Sequence, residues 1–135
     1  MPATTIYLSR LIGLVTLILA AVMLAEREMV LATVQQWAND RPALLLLGLF
    51  RVVCGAAVVL VHNVWSQGLW PLVVTLVGWS MLVRGIVDFF VPPDAMIALA
   101  ATLRIVDFYY VYAALPLVVG AYLSLRGFAA RLPPG

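Results

Sequence analysis

Residues 43–61 read ALLLLGLFRVVCGAAVVLV, and residues 70–90 read WPLVVTLVGWSMLVRGIVDFF. Each stretch has the roughly 20 predominantly apolar positions that carry a helix across the ~30 Å hydrocarbon layer of a bilayer. The first follows Arg41-Pro42, a proline suited to a first helical turn. The second stops at Val91-Pro92-Pro93, where two prolines forbid continuation. Only the short link Asn63 to Leu69 joins them, so they form an antiparallel transmembrane hairpin.

Working outward, a third apolar stretch runs from about residue 6 to 25, interrupted only by Ser9 and Arg10, and ends at Glu26-Arg27-Glu28. A fourth covers about 108 to 125, ends at Arg126-Gly127, and carries a kinking proline at Pro116. Between the first two spans, Met29 to Trp37 reads as an extension of the first span or as a short helix lying in the interface. Asp94 is placed to cap a helix from Ala95 that runs through Arg104 and Asp107 into the last span. The expectation is therefore an all-α, integral membrane four-helix bundle in one domain of 135 residues, with spans at about 6–25, 43–61, 71–90 and 108–125 and short interfacial helical segments. A long linker inside each half hints at a two-unit symmetry.

Composition agrees. Apolar residues make up 65% of the chain, against ~45–50% in soluble domains. Eight Arg oppose six acids without forming a basic run, which argues against nucleic-acid binding. Cys54 is the one cysteine and His62 the one histidine, so an intrachain disulfide, a CxxC redox centre and bis-histidine ligation are excluded, and no cofactor or metal is expected. No Ser-His-Asp set, paired intramembrane carboxylates, HExxH or phosphate loop is present, so no enzyme activity is expected.

Ionisable groups inside spans are functional candidates, because each costs about 2.5–3.5 kcal/mol to insert at mid-helix. Ser80, Arg84 and Asp88 recur at steps of four on one helix face, and the antiparallel hairpin brings Arg51 towards the depth of Arg84 and Asp88. One carboxylate then bridges two guanidinium groups and leaves a positive charge to spare. Two readings stay open: a clasp that sets helix register, or a site for an anionic lipid, an anion or an acidic group of a partner.

On the second span Gly48, Arg51, Gly55, Val58, His62 and Trp65 form a stripe, with Cys54 beside it. It serves either as close-packing surface ending in the helix-capping His62-Asn63, or as a proton or ligand path towards His62. Small residues mark contact faces on the other spans: Gly13, Thr16 and Ala20; Thr75, Gly78 and Gly85; Tyr112, Pro116, Gly120 and Ser124. Trp37, Trp65, Trp70, Tyr109 and Tyr110 are expected as interfacial anchors.

The motifs His62-Asn63-Val64-Trp65, Gly68, Thr75-Leu76-Val77-Gly78-Trp79 and Arg84-Gly85 resemble a pattern of small, uncharacterised four-span bacterial inner-membrane proteins. The resemblance covers the central hairpin and implies no activity. Small multidrug transporters are similar in length and span count, but need a glutamate inside the first span, where this chain has Glu26 at the end. Fluoride channels share size and weak charge bias without alignable polar tracks, and vitamin K epoxide reductase-like proteins need paired cysteines.

The functional expectation is a non-catalytic membrane subunit or accessory protein acting through helix contacts in a homo-oligomer or with other membrane subunits. The alternative is a small transporter or channel using the Arg-Asp cluster. Basic residues split evenly, with Arg10, Arg126 and Arg131 on one face and Arg27, Arg41 and Arg104 on the other. Acidic residues crowd the second face, which favours cytoplasmic termini in a bacterial inner membrane, with dual insertion as the alternative.

Overall fold

The computed structural model describes residues 3–130; Arg131 lies outside the described residues. Six helices follow in order: α1 (Ala3–Ala25), α2 (Arg27–Asn39), α3 (Arg41–Val61), α4 (Leu69–Phe90), α5 (Pro93–Thr102) and α6 (Tyr109–Ala129). Helices α1, α3, α4 and α6 are long and apolar enough to cross a membrane. The chain is thus an all-α, multi-pass membrane protein, with α2 and α5 as the short connecting helices.

The four spans pack as two tight antiparallel pairs, α1 with α6 and α3 with α4, which touch each other much less. Glycine makes the tight pairing possible. A Cβ on Gly55 would lie 2.5 Å from the Leu82 backbone nitrogen and 3.0 Å from the Gly78 carbonyl oxygen. In the other pair, a Cβ on Gly120 would lie 2.9 Å from the Leu17 nitrogen and 3.1 Å from the Gly13 oxygen. Helix backbones approach this closely only where side chains are missing, and in lipid such van der Waals contact replaces the hydrophobic effect as the cohesive force. The small residues recur every seven positions, as Gly48 and Gly55, Gly78 and Gly85, and Ala113, Gly120 and Gly127. A seven-residue period keeps one seam in contact along the whole pair.

The two pairs are equivalent. Sixty-five residues separate Gly13 from Gly78, Leu17 from Leu82 and Gly55 from Gly120, so the two glycine contacts above are the same contact made twice. The same offset lays α1 on α4, α2 on α5 and α3 on α6. Each half is therefore a span, a short helix and a span, and each tight pair takes one helix from either half. The expected two-unit symmetry is present in this form.

The halves meet where Trp70 Nε1 donates to Ser9 Oγ at 2.6 Å, beside a core of Ile6, Val58, Val74 and Leu123. Both residues lie near helix starts, so α1 and α4 begin on one face of the molecule, together with the 62–68 turn and the end of α6. We call this the terminal face. Helices α2 and α5 lie against each other at the opposite end.

Several boundaries differ from expectation. The segment after α1 is a short helix, the second of the two readings, but it begins at Arg27 and runs to Asn39, set off by a kink at Glu26 (φ −123°, ψ 50°), although Glu26 N still donates to Val22 O and Val30 N to Glu26 O. Helix α5 starts at Pro93 with no side-chain cap from Asp94, which sits in its first turn. It also fails to run into α6. Arg104 takes a left-handed φ of 49°, and Ile105 N→Ala100 O and Arg104 N→Ala101 O close the helix end. That is the Schellman closure usually made with glycine, here with arginine, so no sequence signal announced it. Helix α6 continues through Pro116 and past Gly127 to Ala129, because Gly127 serves as a packing position against Ser9 and Arg10.

Candidate functional site

Asp88 is the centre of the intramembrane charge. Its side chain is wholly buried, which Gly48 permits: a Cβ there would stand 3.1 Å from Asp88 Cβ. Arg51 Nη1 donates to Asp88 Oδ2 in a short ion pair. Arg84 Nε approaches Oδ1 at 3.4 Å from one turn back, and its Nη2 lies 3.8 Å from Met96 Sδ of α5. The Oδ1 contact is coulombic, since that oxygen makes no hydrogen bond. One carboxylate thus holds two guanidinium groups, as expected from the spacing.

Depth explains the geometry. At 1.5 Å per residue, Asp88 is about 3 Å, Arg84 about 9 Å and Arg51 about 15 Å from the α5 end of its helix. Arg51 therefore bends from mid-span towards that end to reach its partner, the behaviour of a long cationic side chain in lipid. Ser80 does not join them: it is exposed and its hydroxyl donates to Val77 O at 2.8 Å.

His62 lies apart, about 16 Å along α3 from Arg51. Its ring is buried, and Nε2 sits 3.3 Å from the Pro71 carbonyl oxygen, an acceptor that makes Nε2 the protonated nitrogen. Asn63 is exposed, and its Oδ1 accepts from Trp65 Nε1 at 2.6 Å and Trp79 Nε1 at 3.4 Å. Between these residues Thr75, 0% exposed, organises the turn. Its Oγ1 accepts from Val64 N at 3.1 Å and has Val64 O at 3.0 Å and Pro71 O at 3.1 Å as acceptors for its single proton. Thr75→Val is expected to lower stability by about 1–3 kcal/mol, the cost of orphaning buried polar groups, while Thr75→Ser stays near wild type. Denaturant titration in micelles of both variants checks this, and equal losses would contradict it.

The anchors divide. Trp37, Trp65 and Tyr110 are exposed. Trp70 instead points inward to Ser9, and Tyr109 is buried with its hydroxyl donating to Met23 O at 2.7 Å. An indole or phenol with a buried partner serves packing as readily as a headgroup, so composition did not separate these cases.

Sequence reasoning also missed two arginine caps. Arg41 donates to Phe89 O at 2.6 Å and Val91 O at 2.8 Å, closing the end of α4. Arg10 donates to Gly127 O at 2.8 Å and Ala130 O at 3.0 Å, closing α6. Unpaired carbonyls at a helix end carry partial negative charge, and a cation there is stabilising.

A groove of about 900 Å³ opens between α1, α3 and α4. A second cavity, about 570 Å³, lies between α2, α5 and the 104–107 turn. No family model, curated protein or solved structure matches the chain.

Proposed function

We propose that the protein is a non-catalytic integral membrane subunit or accessory protein of the bacterial inner membrane, with cytoplasmic termini, acting through helix contacts in an oligomer or larger membrane complex. The carrying observation is how little of each span the fold itself covers. Between 17% and 28% of each candidate span is buried inside the molecule, and large side chains such as Leu46, Leu60, Phe90 and Leu125 face outward. In a bilayer those faces meet lipid or another helix.

The charged groups support the same reading over a transport path. Arg51 and Arg84 each pair with Asp88 near α5, and His62 is buried against Pro71 at the other face. The stripe between them on α3 is taken up by Gly55 and Val58 packing on α4.

Affinity isolation from native membranes, in mild detergent with mass measurement of the intact assembly, is expected to return the chain with further copies or other membrane proteins. Recovery as a lone monomer would sink the proposal. Proteoliposomes are expected to show no proton or anion flux. Flux abolished by Arg51→Ala would put the channel in its place.

A further inference from the structure

The Arg51–Asp88–Arg84 cluster carries more charge than its packing requires, and the internal repeat shows this. Sixty-five residues away from Arg51, Arg84 and Asp88 stand Pro116, Leu19 and Met23, and the α1–α6 pair that holds them packs about as closely as α3 with α4. At the same level of the seam, Ala20 and Ala113 stand where α4 and α3 have Gly85 and Gly48, and both alanines are wholly buried. The fold therefore sets the register of one pair with no charge at all. A register clasp does not account for the insertion penalty of three ionised groups in the other.

Donors are also left over. Each guanidinium carries five N–H groups and no acceptor. On Arg51, Nη1 donates to Asp88 Oδ2; on Arg84, Nε faces Asp88 Oδ1 at 3.4 Å and Nη2 faces Met96 Sδ at 3.8 Å. Among the described residues no other acceptor takes the remaining donors. Other acids at that end are engaged elsewhere: Glu28 pairs with Arg27, Asp107 with Arg104, and Asp40 accepts from Ala43 N. Two guanidinium groups against one carboxylate leave one net positive charge. That charge is reached from outside the fold, because the Arg51 and Arg84 side chains are 30% and 49% exposed and line neither the groove nor the α2–α5 cavity.

Depth selects the partner. Helix α4 has 22 residues, about 33 Å at 1.5 Å per residue, close to the ~30 Å hydrocarbon thickness. Phe90 then stands near the hydrocarbon edge with Asp88 about 3 Å inside it, and Arg84 leans outward to Met96 of α5. Beyond that edge lies a headgroup layer of roughly 5–7 Å, which sets phosphates within reach of both arginines. A phosphate accepts from planar guanidinium forks in bidentate fashion, and a headgroup with one uncompensated negative charge balances the cluster.

We infer that Arg51 and Arg84 bind the phosphate of an anionic phospholipid in the leaflet on the α5 side, with Asp88 holding the two guanidinium groups together. The site goes beyond the proposed accessory role, and its test needs no protein partner.

The test uses the purified full chain released from nanodiscs of phosphatidylglycerol and phosphatidylcholine in equal amounts, with retained lipids counted by native mass spectrometry. Phosphatidylglycerol is expected to be retained in preference to phosphatidylcholine. Arg84→Gln, which leaves Arg51 paired with Asp88, is expected to lower that preference roughly tenfold, whereas Arg126→Gln at the opposite end leaves it unchanged. Arg84→Lys keeps the charge without the fork, and supplies an intermediate loss as the readout if Arg84→Gln does not fold. Equal retention of the two lipids by the wild-type chain would overturn the inference. Displacement of the lipid by millimolar inorganic phosphate would also overturn it, and assign the site to a free anion. So would unchanged lipid preference in Arg84→Gln together with loss of a protein co-isolated from native membranes, which would give the charge to an acidic partner.

Discussion

Replacing Asp88 by Ala is expected to destabilise the protein by about 3–5 kcal/mol, the cost of removing one member of a buried ion pair. Two guanidinium groups then lose their counter-charge together, since Arg51 and Arg84 both bind this one carboxylate. Their partial exposure favours the lower end of that range. Arg126→Ala, by contrast, removes an exposed cation over the Tyr122 ring, an interaction worth about 0.5–1 kcal/mol. Unfolding free energies measured by steric trapping in micelles should separate the two variants clearly, and equal losses would show that the cluster is not held by Asp88.

The repeat supplies a sharper control. At the positions equivalent to Asp88 and Arg84 the first half carries Met23 and Leu19. The triple variant Asp88→Met, Arg84→Leu, Arg51→Leu exchanges the cluster for apolar groups and is expected to regain most of the loss, as apolar replacements of buried ion pairs commonly do. Folding with normal stability but without the partners isolated from wild-type membranes would assign the charges to recognition.

Gly55→Ala is expected to cost about 3 kcal/mol, the top of the range for overpacking. The new methyl group would land 2.5 Å from Leu82 N and 2.8 Å from Leu82 Cα. Both are backbone atoms, which cannot rotate aside, so α3 and α4 must separate along the seam. Gly120→Ala meets Leu17 N at 2.9 Å and the Gly13 oxygen at 3.1 Å, and is expected to cost less. Val53→Leu, on the outward face, should be neutral. The order of the three in the same unfolding measurement is the test, and a Gly120 loss equal to or above that of Gly55 would contradict the packing described here.

The fold was largely legible in the sequence. Span length, Pro42, Pro71 and the Pro92-Pro93 stop are local signals, and they placed all four spanning helices within a few residues. The Arg51–Asp88–Arg84 bridge was legible too, because i,i+4 spacing and a tight hairpin leave the three groups little choice of company. Pairing was not. All four spans carry small-residue stripes, and nothing local says that α1 takes α6 as its close neighbour. The same gap hid Arg10 and Arg41, whose acceptors belong to the end of another helix and depend on inter-helix register. The inward turn of Trp70 and Tyr109, and the arginine in a glycine's usual backbone conformation at position 104, were hidden for a related reason: tertiary contacts outweighed residue preference.

The pairing of the chain's first and last spans constrains its biogenesis. Helix α3 meets its mate α4 after a turn of a few residues, so that hairpin can close while synthesis continues. Helix α1 must wait from Ala25 until Tyr109 begins α6, several seconds or more at ~5–20 residues per second. During that interval the seam of Gly13 and Ala20 is uncovered within the translocation machinery or the lipid, and synthesis of α6 completes the pair that α1 opened.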